Sequence, residues 1–342
     1  MTLQPAVPRS RARARGAALL AAMLTVTLVA TLAAGALWQQ WRQVEVETAE
    51  RARMQAAWIL HGAIDWARLI LREDGRTGGI DSLSEPWAVS LKEVRLATFI
   101  ASQQGVTDAD TADLPNAFLA GRITDLQSRL NLAGLRGSPE LHRATLASLR
   151  ALLQALGQPP SAADLINAAL QAPAAGKANP NPNPNPNPEP NSNPDADERL
   201  PVQTLEQLAW FGLPAALLQT LEPHLAVLPV ATPVNINTAD VAVLQASIGG
   251  LDPAGARRLI ELREQAAFRS LAEARERLAL PQVQLEETRH SVATRFFEVQ
   301  GSLRLGTVVV HERSVLQRDG LEVRVLSRER GTRRAAVAPA RD

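Results

Sequence analysis

The stretch that decides the fold is AALLAAMLTVTLVATLAAGAL at residues 17–37, which contains no charged side chain. As an α-helix it would be about 30 Å long, the thickness of the hydrocarbon core of a bilayer. Four arginines at positions 9, 11, 13 and 15 precede it, and Trp38 and Trp41 follow it. Basic residues remain on the cytoplasmic side and tryptophans favour the membrane interface. The sequence therefore predicts a single-pass anchor with a cytoplasmic N-terminus.

Three kinds of N-terminal segment fit this pattern. A secretory signal peptide would be cut after AGA at residues 34–36, but its apolar region is normally shorter and has no tryptophans behind it. An uncleaved anchor fits the length. RGAALL at residues 15–20 resembles a third type, the type IV pilin-like signal, which is cut on the cytoplasmic side after a glycine. That cut would fall between Gly16 and Ala17 and would retain the helix.

The fifth position after this cut is Ala21, where pilins normally carry glutamate. In pilin filaments that glutamate is thought to neutralise the terminal amine of a neighbouring subunit, and an unpaired ammonium is costly in hydrocarbon. A subunit with alanine is suited to the first position in a filament. This departure resembles the minor pseudopilin K family of bacterial type II secretion systems.

The helical pattern continues beyond the membrane. Ile59, Ala63, Trp66 and Ile70 recur at helical spacing and predict a buried face. Gly75 and the following GG at residues 78–79 predict the end of the helix, because glycine commonly follows a helix C-terminus. A single helix over residues 17–74 would be about 87 Å long. Such a helix, half in lipid and half packed on a globular head, is the pilin plan.

The predicted strands are far apart in sequence. Some alternation indicates a strand at residues 117–126, and residues 296–305, 307–317 and 321–327 resemble a meander, with Asp319-Gly320 as the turn between the last two strands. About 150 residues between the early and late strands read as helices and linkers. We therefore predict an α+β fold in which a helical insertion interrupts an antiparallel sheet.

Motifs spread over most of the chain resemble landmarks of the pseudopilin K family. They are SEPW at residues 84–87, GRITDLQ at residues 121–127 followed by NL at 131–132, and VNINTA at residues 234–239. The resemblance implies a pilin-like α+β head whose antiparallel sheet is interrupted by an inserted helical domain of two SAM-like units.

The predicted organisation has eight parts. They are a prepilin leader (1–16), a transmembrane helix (17–37), its continuation (38–74), the first part of the head (75–130), a first SAM-like unit (131–222), a second (223–290), the C-terminal strands of the head (291–330) and a disordered tail (331–342). Asn-Pro pairs at residues 179–194 form a linker within the first unit, since repeated prolines exclude helix and central strand.

Residues 232–281 also resemble helix-hairpin-helix modules, which makes a membrane-tethered DNA-uptake receptor the alternative function. Such modules have a second glycine that lets backbone amides approach a phosphate, and here Asp252 takes its place. Its carboxylate is expected to cap the helix that starts at Pro253 and to repel phosphate. Six arginines in this segment are balanced by six acidic residues, so we expect no nucleic-acid binding.

An enzyme with a generic signal anchor is the third hypothesis, and the motifs give it little support. The five histidines are scattered, and no metal-protease pair, nucleophile elbow or phosphate-binding glycine loop occurs. The chain has no cysteine, which excludes disulfides. Members of the family can hold calcium in the insertion, and the acidic cluster Asp195, Asp197 and Glu198 is the candidate here. A solvated linker end explains the same cluster.

The resemblance implies a minor pseudopilin that helps to start assembly of a short periplasmic pseudopilus and thereby the export of folded proteins across the outer membrane. The implied partners are the other minor pseudopilins, of the I and J types, the pseudopilus itself, the prepilin peptidase and the inner membrane. The C-terminal domain is expected in the periplasm.

Overall fold

The computed structural model describes residues 12–102, 116–171, 202–306 and 308–334, with the backbone alone for residues 12–16 and 332–334. Eight α-helices and nine strands lie in these ranges. The helices are α1 Ala12–Thr77, α2 Leu96–Ala101, α3 Pro139–Ala155, α4 Ala162–Gln171, α5 Ala215–Leu221, α6 Val241–Ser247, α7 Pro253–Gln265 and α8 Leu271–Leu278. The strands are β1 Leu91–Arg95, β2 Ala117–Asp125, β3 Leu130–Asn131, β4 Leu225–Ala226, β5 Val234–Asn235, β6 His290–Ser291, β7 Phe296–Leu305, β8 Val308–Asp319 and β9 Glu322–Arg334.

Helix α1 is the long helix that the sequence predicts, but it ends at Thr77 rather than near residue 74. Gly75 lies inside it and does not terminate it. A β-carbon on Gly75 would lie 2.8 Å from the carbonyl oxygen of Gly320, so glycine is needed there because the β8–β9 turn approaches the helix closely.

The buried face of α1 lies one residue away from the predicted one. Ala56, Leu60, Ile64, Ala67 and Leu71 are at most 3% exposed and pack on the sheet. The predicted stripe of Ile59, Ala63, Trp66 and Ile70 is only half-buried. Both stripes are apolar, so their spacing does not reveal which one faces the sheet. The second stripe flanks the first, and its residues Ala63, Trp66 and Ile70 border an apolar groove that also includes Phe99 of α2.

The main sheet has the strand order β1-β2-β7-β8-β9, and every neighbouring pair is antiparallel. Its central strands β2 and β7 are consecutive in space, whereas about 170 residues separate them in sequence. The predicted α+β architecture with an interrupted antiparallel sheet is therefore confirmed. Strand β1 escaped prediction because its sequence, LKEVR, is short, charged and irregularly paired, which is typical of a sheet edge.

The turn of the β8–β9 hairpin lies one residue beyond the predicted one. Its two central residues are Gly320 and Leu321 rather than Asp319 and Gly320, because Asp319 pairs with Glu322 as the last pair of the ladder. Gly320 has φ +61°, as expected for glycine at the first central position of a type II′ turn. Gly320 is therefore a turn residue as predicted, but it is the first central residue of the turn rather than the second.

Strand β9 continues to Arg334, so the prediction of disorder from residue 331 is wrong for residues 331–334. Gly331 pairs with His311, and Arg334 pairs with Val308. The arginine-rich composition suggests a solvated tail, but the apolar start of β8 provides a partner for its backbone. Residues 335–342 lie outside the described residues.

The helices between β2 and β7 share one apolar core. Leu152 of α3, Ile166 of α4, Leu244 of α6 and Phe268 before α8 belong to the same buried cluster. Two short parallel ladders, β3 with β4 and β5 with β6, join its segments. The SAM-like character of the units and their boundaries stay predictions, and the Asn-Pro linker at residues 179–194 lies outside the described residues.

Candidate functional site

The first half of α1 is an apolar helix that nothing in the described chain covers. Every residue from 17 to 48 is exposed, including Leu24 at 68% and Leu37 at 67%. An 18-residue window of this helix has a mean hydropathy of 2.2, so the helix is long and apolar enough to cross a membrane. Arg42 lies over the ring of Trp38 at 5.0 Å, an arrangement that suits the boundary between lipid and water. This surface requires a lipid or protein environment.

The predicted leader residues lie on this helix. Gly16 belongs to the α1 backbone, and Ala17 and Ala21 are exposed one helical turn apart. Cleavage after Gly16 stays a prediction. The predicted calcium ligands Asp195, Asp197 and Glu198 lie outside the described residues, so calcium binding there also stays a prediction.

A second site joins the head to the insertion, at the end of α1 that is far from the apolar segment. We call it the junction and define it by the buried and half-buried polar side chains that form it. They are Asp74, Asp81, Glu85, Asp125, Gln127, Asn235, Thr238, Thr294 and Arg318.

Arg318 of β8 binds the two acidic residues of the junction that lie at the end of α1 and in the loop after it. Its Nη1 donates to Asp74 Oδ2 of α1 at 2.5 Å, and its Nη2 donates to Asp81 Oδ1 at 2.5 Å. The second oxygen of Asp81 accepts from the backbone N–H of Thr294, where the insertion returns to the sheet, at 2.7 Å. One guanidinium thus connects α1, the loop after it and strand β8. Its planar face lies 4.9 Å from the ring of Phe297.

Asp125, at the end of β2, binds the residues of the junction that belong to the insertion. Its Oδ1 accepts from Gln127 N at 2.6 Å, and its Oδ2 accepts from Asn235 Nδ2 at 2.9 Å and Thr238 Oγ1 at 2.6 Å. Asn235 also donates to the carbonyl of Asp81 at 3.0 Å, which joins the two groups of residues. These contacts attach the insertion at β5 to the sheet.

Burial shifts the pKa values of the junction carboxyls Asp81 and Asp125. It raises the pKa of Asp125 despite the hydrogen bonds from Thr238 and Asn235. It also raises the pKa of Asp81 to about 6, although the Thr294 N–H and Arg318 act in the opposite direction. Asp74, Asp81 and Glu85 offer oxygens within 4.8 Å of one another, but Arg318 already occupies two of these carboxylates.

The junction explains the sequence landmarks. Glu85 of SEPW accepts from Trp87 Nε1 at 2.6 Å, and the side chain of Gln127 spans from Pro233 O to Arg295 N. Asn131 donates to Val230 O at 2.8 Å. Sequence reasoning missed Asp81 and Arg318, because neither belongs to a motif and their contact joins residues 237 positions apart.

A histidine fixes the seam where β6 lies beside β5. His290 is 1% exposed; its Nδ1 accepts from Glu286 N at 3.0 Å, and its Nε2 lies 3.2 Å from the carbonyl of Ser247. The first contact requires a neutral Nδ1, so Nε2 carries the proton. Burial, aided by the charge of Arg289, lowers the pKa of His290 to about 4.

The structure confirms the capping role predicted for Asp252. Its Oδ1 accepts from Gly255 N at 2.7 Å, at the start of α7. The backbone amide that a phosphate would need is therefore occupied by a carboxylate. A helix-hairpin-helix contact with DNA is not favoured at this position.

Comparison with known proteins finds similarity to one family over most of the chain. Two family models described as type II secretion system (T2SS), protein K, match residues 128–230 and 234–293. Type II secretion system protein K of Pseudomonas aeruginosa is 26% identical over 350 residues, covering 92% of this chain and 92% of that protein. The protein of the same name from Pectobacterium carotovorum subsp. carotovorum is 25% identical over 340 residues, covering 94% and 98%.

A solved structure shows the same fold. It is a chain of the GspK-GspI-GspJ complex from the enterotoxigenic Escherichia coli Type 2 Secretion System, with a TM-score of 0.61 and 20% sequence identity. The match covers 83% of this chain and 98% of that chain.

The long helix with an exposed apolar half, packed on an antiparallel sheet, defines a pilin-like subunit with a membrane-type anchor. The matches to both halves of the insertion narrow this class. The chain is similar to the type II secretion system protein K family over most of its length.

Asp125→Ala is expected to lower the free energy of unfolding by about 3–5 kcal/mol, because it removes the acceptor of three buried hydrogen bonds. Urea denaturation followed by circular dichroism measures this change. Asp164→Ala is the matched control, since Asp164 is exposed and pairs with Arg150 on the surface, and about 1 kcal/mol or less is expected there. Equal losses in both variants would show that the junction does not hold the insertion.

His290 predicts a loss of stability in acid. Its folded pKa of about 4 lies below the ordinary value of 6.5, so the unfolded chain binds more protons between these values. The contribution of neutral His290 is complete above pH 6.5 and is lost as the pH falls towards 4. Between pH 7 and pH 4.5, the free energy of unfolding of the wild type should fall by about 2–3 kcal/mol more than that of His290→Gln, which has no titrating ring. Parallel pH profiles for the two proteins would contradict this assignment.

Proposed function

We propose that the chain is the tip subunit of a short periplasmic pseudopilus and helps to start its assembly for the export of folded proteins. One observation carries this role. The bulky insertion is fixed by Asp125 and Asn235 beside the end of α1 that lies farthest from the apolar anchor. About 37 residues of helix, or roughly 55 Å, separate residue 37 from Asp74. With the anchor in the membrane, the insertion stands above the head and obstructs a further subunit on top.

The sequence of the apolar helix also favours the tip position. Leader cleavage after Gly16 would expose the amine of Ala17 at the start of an uncharged helix. Ala21, one turn further on, has no carboxylate with which to pair a neighbouring amine. Insertion beneath an existing subunit is then disfavoured, because an ammonium would lie unpaired in hydrocarbon. A first-placed subunit has no such neighbour above it.

The partners proposed for this role are the other minor pseudopilins, of the I and J types, and the prepilin peptidase. The solved complex of GspK with GspI and GspJ supports the first of these by its composition. The proposed location is the bacterial inner membrane, with the N-terminus in the cytoplasm and the head in the periplasm, as the arginines of residues 9–15 favour.

The proposed role is structural rather than catalytic, and it needs no nucleic acid. The related proteins are subunits of a secretion system, and Asp252 caps α7 where a DNA phosphate would bind. Calcium held by Asp195, Asp197 and Glu198 is an optional addition to this proposal. Calorimetric titration of the purified chain with calcium, compared with a variant that carries amides at these three positions, tests it.

The mature chain is expected to begin at Ala17. Intact-mass spectrometry of the protein purified from membranes of a secreting cell gives its N-terminus. The same protein expressed without the prepilin peptidase is the control and should retain Met1 and the arginines. A chain that starts after Ala36, or that keeps its leader when the peptidase is present, would contradict the proposed processing.

Ala21→Glu is expected to move the subunit from the filament end into the filament. The new carboxylate can pair with the amine of a neighbour, so addition beneath other subunits becomes less costly. Immunogold labelling of the insertion on isolated pseudopili should change from one terminal particle to particles along the filament. Ala22→Glu is the control, since it adds the same charge one position away. Wild-type label along the whole filament would overturn the tip assignment.

A further inference from the structure

Four acidic side chains lie close together at the junction. Asp74, Asp81 and Glu85 have carboxylate oxygens that all lie within 4.8 Å of one another. The fourth, Asp125, is connected to them through Asn235, which donates both to its carboxylate and to the carbonyl of Asp81. Asp81 and Asp125 are each 1% exposed. The assembly role gives this concentration of carboxylates no task.

The negative charges of this acidic group are not balanced by basic side chains. Among the described residues, Arg318 alone pairs with them, and its partners are Asp74 and Asp81. Glu85 and Asp125 accept hydrogen bonds from uncharged donors. Four ionised carboxylates would therefore stand against one guanidinium. Like charges this close in a low dielectric repel each other, and a group of carboxyls in such a place retains a proton.

The pKa values of the group agree with a retained proton. Burial raises the pKa of Asp81 to about 6, and the charge of Asp125 acts in the same direction. Burial also raises the pKa of Glu85, and the charges of Asp74 and Asp81 add to this effect. The proton is therefore bound by interacting carboxyls that titrate together.

Asp81 is also the residue of this group that binds the insertion at several atoms. Its Oδ2 accepts from Thr294 N at 2.7 Å, and its carbonyl accepts from Asn235 Nδ2 at 3.0 Å. Its own N–H donates to Val292 O at 2.9 Å. The acidic neighbours of Asp81 belong to the head, so their repulsion acts on the residue that connects the head to the insertion. The charge of the group and the attachment of the insertion are thus coupled.

We propose that one proton, bound by this acidic group, regulates how firmly the insertion is attached to the head. Binding of the proton removes one of the repelling charges and strengthens the contacts of Asp81 with Thr294 and Asn235. Loss of the proton restores the repulsion and weakens these contacts. The regulation depends on the geometry of the junction and goes beyond the role of the subunit in assembly.

The attachment is expected to be firmer in mild acid than at neutral pH. The folded pKa of Asp81, about 6, lies above the ordinary value of 3.8, so the folded chain binds more protons than the unfolded chain between these values. The stabilisation by the bound proton is complete below pH 3.8 and is lost as the pH rises through 6.

Hydrogen–deuterium exchange of the full chain in lipid nanodiscs, measured by mass spectrometry in the presence of EDTA, tests the proposal. The protection factor of the segment around Thr294 in the wild type is divided by that in Asp81→Asn, which has no carboxyl at this position. Between pH 7.5 and pH 5 this ratio should increase about tenfold, as expected for a carboxyl with this raised pKa. Both proteins contain His290, so its opposite pH dependence cancels in the ratio.

A second variant keeps the test valid if Asp81→Asn does not fold. Glu85→Gln retains an acceptor for Trp87 but removes a neighbouring charge, so proton binding should move to lower pH. The ratio of protection factors between the wild type and Glu85→Gln should then increase about threefold over the same pH range. Asp164→Asn, at an exposed position, is the control and should match the wild type.

Three results would overturn the proposal. The first is a ratio that stays constant with pH for both junction variants. The second is an equal change in helix α3, because the proton would then stabilise the whole chain rather than the attachment of the insertion. The third is an increase of the same size when calcium replaces EDTA at pH 7.5, because a metal ion would then neutralise the acidic group.

Discussion

The fold depends on the contact of Arg318 with Asp74 and Asp81. It joins the end of the long helix, the loop behind it and the strand β8, and Asp81 continues the connection to the returning insertion through Thr294. A buried ion pair of this kind adds little net stability, because desolvation offsets its attraction, whereas removing one partner is costly. Its role here is therefore geometric. It determines where the insertion stands relative to the helix that carries the anchor.

Much of this architecture could be predicted because its signals are local. The anchor is a continuous apolar run, and buried residues alternate with more exposed ones along most of strand β8. The N-cap of Asp252 follows from its position before a proline. Each of these features depends on neighbours within a few residues, which a sequence displays directly.

The predictions that were wrong or missing concern features that depend on residues distant in sequence. The predicted buried face of α1 is one residue away from the observed face, because the helix carries two neighbouring apolar stripes. Only the position of the sheet determines that Leu60 rather than Ile59 is buried. Residues 331–342 are rich in arginine and alanine, a composition that predicts a tail, although pairing with β8 orders the backbone of residues 331–334. Arg318 remained hidden for the same reason, since its environment is built by residues distant in the chain.

The insertion leaves and re-enters the sheet at neighbouring points, since Asp125 at the end of β2 pairs with Phe297 at the start of β7. A module with adjacent ends can lengthen, shrink or be exchanged during evolution without moving the strands that carry it. The entropic cost of closing such an excursion grows only slowly with its length. One scaffold can thus present caps of very different size above the same membrane-inserted stem.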